Sequence, residues 1–402
     1  MKKTKKKKWV RLRHKIITNL AHFVIAPFLI IKYGIKAIKF KDRKKQYFIV
    51  SNHQTALDQF FVEMVFRKTV YYVASEDIFS KGFISALLKW ALNPIPIKKQ
   101  STDILAIKTI LQVVKEGGSV AIFPEGNRTF SGKTEYFNPA IIGLIRKSRI
   151  PVAVMNITGG YGVQPRWTDK PRKGKINAFV KRVIEPEEYN KLSDDELYAL
   201  LKTELYVNEA VDNLTYKSKR CAEYLERLIY VCPECGLSHF SSDKNTLTCL
   251  NCGFSVGYAE NKTFYPVNGN MPFKYVNDWY TYQQEYISNV DLTAFNDTPA
   301  YVDNAKFSLN VPYQKKVLLS ENAEISLYGN KILVKTETDT YEFLFDDTSV
   351  VTVLGRNKLN VYYKENVYQF KGDKSFNPIK YMHFYYHYQN VKKGVKDEFF
   401  GI

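Results

Sequence analysis

The chain has 402 residues, room for two to four domains. Its 45% hydrophobic, 15% aromatic and 25% charged residues exclude a disordered chain, and a mean hydropathy of −0.30 excludes a multi-spanning membrane protein. The net charge of +19 is concentrated: residues 1–45 hold sixteen Lys/Arg against Asp42 alone, so the other 357 residues carry only +4.

The basic head comes first. Residues 2–13 are rich in Lys and Arg and precede sixteen uncharged residues, 16–31. As a helix this run is about 24 Å long, short of the roughly 30 Å hydrocarbon core, and Pro27 interrupts it. Basic residues return from Lys36 to Lys45 without a small-residue cleavage site, which disfavours a secretory signal. The pattern predicts a peripheral or monotopic anchor on the cytoplasmic face of the cell membrane. Anionic lipid would draw it at about 1 kcal/mol per contacting Lys or Arg. A nucleic-acid-binding tail is the disfavoured alternative.

From Tyr47 onward, predicted strands at 47–51, 70–74, 94–97, 119–123 and 150–157 alternate with predicted helices at 57–67, 79–92, 102–115 and 139–147. This rhythm predicts an α/β domain with a mainly parallel sheet, and chemistry in the loops that follow strands. Two loops stand out. In Ser51-Asn52-His53-Gln54-Thr55-Ala56-Leu57-Asp58, a histidine at a strand end precedes an aspartate by five positions. The carboxylate can hold one ring N–H and leave the other nitrogen as a base, although such a contact is more often only a helix cap. In Phe123-Pro124-Glu125-Gly126-Asn127-Arg128-Thr129, a glycine permits close backbone approach and an arginine offers a fork suited to phosphate.

Together and in this order, the H-x4-D block (His53, Asp58) and the F-P-E-G-x-R block (Phe123 to Arg128) resemble the glycerolipid acyltransferase family of 1-acylglycerol-3-phosphate (lysophosphatidic acid) acyltransferases, over about residues 45–190. Two departures are visible. Lys99, after Ile95-Pro96-Ile97-Lys98, stands where the family usually has arginine, and Met155 stands where a second proline would follow Pro151. The resemblance implies acyl transfer from a thioester, acyl-CoA or acyl carrier protein, to the free hydroxyl of a lysophospholipid acceptor, 1-acylglycerol-3-phosphate, forming phosphatidic acid. His53 would be the general base and Asp58 its orienter. Lys99 and Arg128 would clamp phosphate, Glu125 would hold glycerol hydroxyls, and Gly126 and Asn127 would complete the acceptor loop. Backbone N–H groups near Gly126 are candidates for the oxyanion. A thioester needs no covalent nucleophile, no G-x-S-x-G elbow occurs, and no organic cofactor is expected. The alternatives are another lysolipid as acceptor, or a zinc-ribbon binding or scaffold protein with a degenerate acyltransferase fold, docking on membranes, proteins or nucleic acid.

Residues 193–227 have a helical pattern, with Cys221 expected as a small buried residue. Then come Cys232-Pro233-Glu234-Cys235-Gly236 and Cys249-Leu250-Asn251-Cys252-Gly253. Two C-x-x-C-G knuckles at this spacing predict a zinc ribbon with one structural zinc held by Cys232, Cys235, Cys249 and Cys252. Such a site needs reduced thiols and therefore an intracellular setting. His239 is surplus to the ligand set.

Residues 258–402 hold 17 of the 29 tyrosines. Alternation over 325–370, with turn signals at Gly329-Asn330 and Lys364-Glu365-Asn366, predicts antiparallel strands. A final helix is expected at 375–389, with His383 and His387 on its surface. The pattern looks like a pleckstrin-homology-like fold. The expected segments are therefore a basic membrane anchor (1–45), an acyltransferase domain (46–190), a helical linker (191–230), the four-cysteine zinc ribbon (231–257) and a tyrosine-rich β domain closed by a C-terminal helix (258–402).

Overall fold

The computed structural model describes residues 8–42, 45–75, 79, 83–97, 103–212, 214–311 and 315–396. The chain divides into two units, Met1–Arg128 with Tyr136–Gly160 and Lys175–Val207, and Thr129–Glu135 with Tyr161–Gly174 and Asn208–Ile402.

Along the first part of the chain the elements are α1 (Leu12–Tyr33), β1 (Ile35–Ala37), β2 (Phe48–Ser51), α2 (Asp58–Phe66), β3 (Val70–Ser75), α3 (Phe83–Ala91), β4 (Ile95–Ile97), α4 (Ile104–Lys115), β5 (Ser119–Ile122), α5 (Ile141–Ser148), β6 (Val152–Thr158), the one-turn α6 (Gly160–Val163), β7 (Ile176–Ile184), α7 (Pro186–Tyr189) and α8 (Asp194–Leu205). The first unit's sheet has the order β1-β7-β6-β2-β5-β3-β4. The five strands from β6 to β4 are parallel, whereas β7 runs antiparallel to β6 and β1 runs with β7. The sheet is mixed and mostly parallel. Phe48, Ile49 and Val50 of β2 are fully buried, as an unbroken apolar run in a sheet covered on both faces requires. Because β2 pairs in parallel with β5, the loops after Ser51 and Ile122 leave the same sheet edge side by side.

The N-terminal helix is longer than the sequence suggests. α1 runs unbroken through Pro27 for 22 residues, about 33 Å, and closes at Gly34 in the left-handed conformation. By length and composition it is apolar enough to cross a membrane, so the expectation of a helix too short to span is corrected. Its burial has a side, however. His14, Thr18, Ala26, Leu29 and Tyr33 are buried along its whole length, and His14 Nδ1 lies 3.0 Å from the Tyr71 hydroxyl. Leu12, Ile16, Leu20, Phe23 and Phe28 are exposed.

The second unit adds β8 (Val231–Cys232), β9 (Gly236–Leu237), β10 (Phe240–Asp243), β11 (Thr246–Cys249), β12 (Ser255–Tyr258), β13 (Phe264–Asn268), α9 (Val276–Ser288), β14 (Tyr301–Asn310), β15 (Val317–Leu327), β16 (Lys331–Lys335), β17 (Thr340–Leu344), β18 (Thr348–Leu354), β19 (Lys358–Tyr363), β20 (Asn366–Gly372) and α10 (Ile379–Lys393). β10 to β13 form an antiparallel meander. The seven strands from β14 to β20 form one antiparallel sheet in the order β17-β16-β15-β14-β20-β19-β18. The ten-residue β14 pairs with both β15 and β20 and so joins two meanders. One apolar core runs through this unit and contains Phe130, Tyr161 and Trp167 together with Trp279, Phe307 and Phe384.

Three local expectations are corrected here. The helix expected over 193–227 ends at Leu205. Beyond it, the side chains of Asn208, Asp212 and Ser218 each accept the backbone N–H two residues on, an arrangement that competes with helix formation. Cys221 is buried as expected, but in irregular chain. The last helix begins at Ile379, because Asp373 caps Ser375 and Phe376 while Asn377 takes the Ile379 N–H. On that helix His383 and His387 are buried rather than on the surface. His383 sits between the Tyr230 and Tyr280 hydroxyls at 2.5 and 3.1 Å, and His387 Nε2 lies 2.9 Å from the Val290 carbonyl.

Candidate active site

The loop after β2 is built around a buried carboxylate. Asp58, the first residue of α2, is fully buried, and its Oδ2 accepts from His53 Nδ1 at 2.8 Å, from the Gln54 N–H at 2.6 Å and from the Thr55 N–H at 3.0 Å. Its Oδ1 accepts from the Thr55 hydroxyl at 2.6 Å. A carboxylate facing Nδ1 puts the ring proton there and leaves Nε2 with a free lone pair. The His53 side chain is 20% exposed, so a small reacting group can reach that nitrogen.

Two further contacts fix the imidazole's position. The Asn52 side chain forms a pair of 2.8 Å hydrogen bonds with the backbone of Ile157, one each way, and so pins the loop to β6. The His53 ring stacks on Phe123 with centroids 4.5 Å apart and planes 21° apart. Phe123 opens the neighbouring loop. There the Gly126 N–H donates to the Phe123 carbonyl at 3.0 Å, closing a turn in which Gly126 has φ of 66°. The Gly126 N–H is thus engaged in the turn itself.

Glu125 is buried, and its Oε1 accepts the His53 backbone N–H at 2.8 Å. That carboxylate therefore ties the two loops together. Asn127 has a buried Nδ2 with no hydrogen-bond partner among the described residues, and Arg128 is half-buried at the end of the same loop. The structure thus brings His53, Asp58 and Glu125 into contact through these loops, with Gly126, Asn127 and Arg128 following in the chain. Lys99 lies outside the described residues.

The family model described as Acyltransferase matches residues 33–158, a stretch that contains both loops. Residues 33–158 are therefore similar to acyltransferase domains. Curated relatives of this region include the chloroplastic 1-acyl-sn-glycerol-3-phosphate acyltransferase LPAT1 of Arabidopsis thaliana, 25% identical over 180 residues, covering 43% of this chain and 48% of that protein. The 1-acyl-sn-glycerol-3-phosphate acyltransferase of Bacillus subtilis is 24% identical over 149 residues, covering 37% of this chain and 70% of that protein. This chain thus spans about half the length of the plant relative. Among solved structures, the 1-acyl-sn-glycerophosphate (LPA) acyltransferase PlsC of Thermotoga maritima matches at 18% identity and a TM-score of 0.35, covering 48% of this chain and 94% of that one.

Within residues 33–158, three positions make contacts around the pair that the sequence did not foretell. Thr55 supplies a hydroxyl and an N–H to Asp58, Asn52 anchors the loop, and Phe123 supports the imidazole. Thr55 had a signal, since a threonine three residues before an acidic helix start is a capping pattern. Phe123 was visible as the first residue of the F-P-E-G-x-R block, but its stacking on the imidazole was not.

In the second unit, the sulfur atoms of Cys232, Cys235, Cys249 and Cys252 all lie within 4.8 Å of one another, with Cys232–Cys252 and Cys235–Cys249 at 3.7 Å. Four thiolates around a tetrahedral zinc at about 2.3 Å would be roughly 3.8 Å apart, so the cluster fits a metal ion of that size. Each knuckle closes on a glycine at φ of 78°, Gly236 and Gly253, and the Ser238 hydroxyl lies 3.2 Å from Cys235 Sγ. Burial pushes the Cys232 thiol up. At Cys249 burial is outweighed by the Cys252 N–H and the Ser238 hydroxyl, which hold the thiol down to about 7. His239 is not one of the four; its Nε2 lies 3.5 Å from Lys380 Nζ and 3.9 Å from Asp303.

Proposed function

We propose that the chain transfers an acyl group from an acyl thioester to the free hydroxyl of 1-acylglycerol-3-phosphate, giving phosphatidic acid. The donor is acyl-CoA or acyl carrier protein. His53 Nε2 takes the acceptor's hydroxyl proton as that oxygen attacks the thioester carbonyl. The C–S bond then breaks and the leaving thiolate takes the proton back from His53. Asp58 keeps the proton on Nδ1 and stabilises the imidazolium while it lasts. Arg128 and Lys99 clamp the acceptor phosphate, and Gly126 and the unpartnered Asn127 Nδ2 belong to the same acceptor loop. Glu125 holds this loop against the base at the 2.8 Å contact with His53.

The observation that carries the reading is the His53–Asp58 pair, with Asp58 held by four donors on the acyltransferase frame. A scaffold with a decayed site would keep that carboxylate for the loop, but has no need of an imidazole held on it with the ring partly exposed. The test is turnover: purified protein, offered 1-acylglycerol-3-phosphate and other lysolipids with each donor, should form phosphatidic acid from the first at the highest kcat/KM. Faster acylation of another lysolipid would move the assignment to that acceptor.

The supporting parts follow the same reading. The four-cysteine cluster holds a structural zinc, since all four positions are thiols and none is left for a substrate. α1 lies in the plane of the cytoplasmic membrane surface as a monotopic anchor, because one of its faces is committed to the protein along its whole length. Residues 258–402 end in a pleckstrin-homology-like fold, a reading supported by seven antiparallel strands in two meanders followed by one helix.

A further inference from the structure

α3 carries Phe83, Leu87 and Trp90 at positions i, i+4 and i+7, a single stripe of a helix. That stripe points outward: Phe83 is 81% exposed and Trp90 53%, whereas among the described side chains of the helix Ser85 is buried and Leu88 half-buried. Contiguous apolar surface exposed in this way is poorly matched to a purely aqueous surround and marks a contact.

The surroundings of α3 identify that contact. α1 packs against α3, the Trp9 indole N–H donates to the carbonyl of Asn93 just beyond α3 at 3.0 Å, and the Arg13 guanidinium lies 5.4 Å from the Trp90 ring centre. The stripe therefore adjoins the end of α1 that bears Lys8, Arg11, Arg13 and Lys15, where the outward Leu12 and Ile16 begin a second apolar strip. Five more lysines precede Lys8 in the sequence. Apolar surface beside clustered cations suits an anionic bilayer, which offers acyl chains to one and phosphate to the other. A second copy of this chain fits poorly, because it would bring the same cations against each other.

We propose that α3 is a second membrane-contacting element, its Phe83, Leu87 and Trp90 stripe inserting among the acyl chains of an anionic bilayer beside the outer face of α1. This inference deepens the in-plane reading of α1 and rests on it. The full chain is mixed with vesicles of phosphatidylglycerol and brominated phosphatidylcholine in equal amounts. Bromine should quench the tryptophan emission, and a clear part of that quenching should be lost in Trp90→Phe: Trp167 and Trp279 are buried, and the half-buried Trp9 beside Asn93 accounts for the remainder. Phe83→Asp combined with Leu87→Asp alters only exposed positions. It should lower the vesicle-bound fraction about tenfold while leaving thermal unfolding unchanged. Equal quenching in the wild type and Trp90→Phe, or full vesicle binding by the aspartate pair, overturns the proposal. So does a lipid-free dimer that the aspartate pair converts to monomer, since the stripe would then be a self-association surface. Complete failure of the wild type to bind vesicles overturns the α1 reading as well.

Discussion

At the residue scale, the site depends on how fully one carboxylate is satisfied. Asp58 neutralises four donors that would otherwise be buried unpaired, so it serves the loop's stability and the base's tautomer at once. Asp58→Asn keeps one acceptor oxygen but aims an NH2 group at donors. We expect a stability loss of roughly 1–3 kcal/mol, read by denaturant unfolding, with a fall in kcat of about a thousandfold or more. Arg128→Ala acts differently under the proposed reading, in which Arg128 clamps the acceptor phosphate. KM for a phosphate-bearing acceptor should rise about ten- to hundredfold while KM for the thioester donor stays near the parent value, the equivalent of roughly 1.5–3 kcal/mol on one substrate only. Equal effects on the two would make Arg128 structural.

At the element scale, the ribbon and the antiparallel sheet share one apolar core, so losing the metal should be felt well beyond the two knuckles. Metal analysis of reduced wild-type protein should give about one zinc per chain. Cys232→Ser should lose it and lower the unfolding midpoint of the second unit, with the first unit's transition unmoved. His383 on α10 gives this unit a pH dependence of definite sign. Burial pushes it down to about 3 from 6.5, so the folded state holds it neutral. Its contribution is fully present above pH 6.5 and is lost as pH falls from there towards 3. Denaturant unfolding of the metal-loaded wild type and His383→Gln over that range should show a shallower acid limb in the variant, and parallel curves would contradict it.

These elements also show what could be read from the sequence. The strands and helices around His53 and Arg128 were legible because each is a short apolar run ending in its own turn chemistry, and the motif residues are local to those ends. α1 was misjudged because Pro27 marks a break by local rules, yet the helix continues through it. The stretch after Leu205 kept a helical composition, while its Asn, Asp and Ser side chains captured the backbone instead. Burial of His383 depends on tyrosines 103 and 153 residues away, which no local pattern reports.

At the scale of the whole molecule, one chain combines a region that matches the acyltransferase model, an N-terminal helix with an exposed apolar face and a second unit with its own core. Phe130, Tyr161 and Trp167 are isolated aromatic residues in the sequence, so their membership of that second core was hidden. Membrane attachment through α1 should have two separable terms. Binding to anionic vesicles should weaken as salt screens the cations, and a residual apolar part should persist at high salt. Phe23→Asp, on the exposed face of α1, should remove that residual part in a flotation assay without unfolding the protein. The central claim is that this molecule moves acyl groups with His53 as the base. It is tested most directly by single-turnover acylation of vesicle-borne 1-acylglycerol-3-phosphate, comparing the wild type with His53→Ala of matched fold by circular dichroism. The account predicts phosphatidic acid from the wild type and a rate at least about a hundredfold lower from the variant. Equal rates from the two proteins would contradict it.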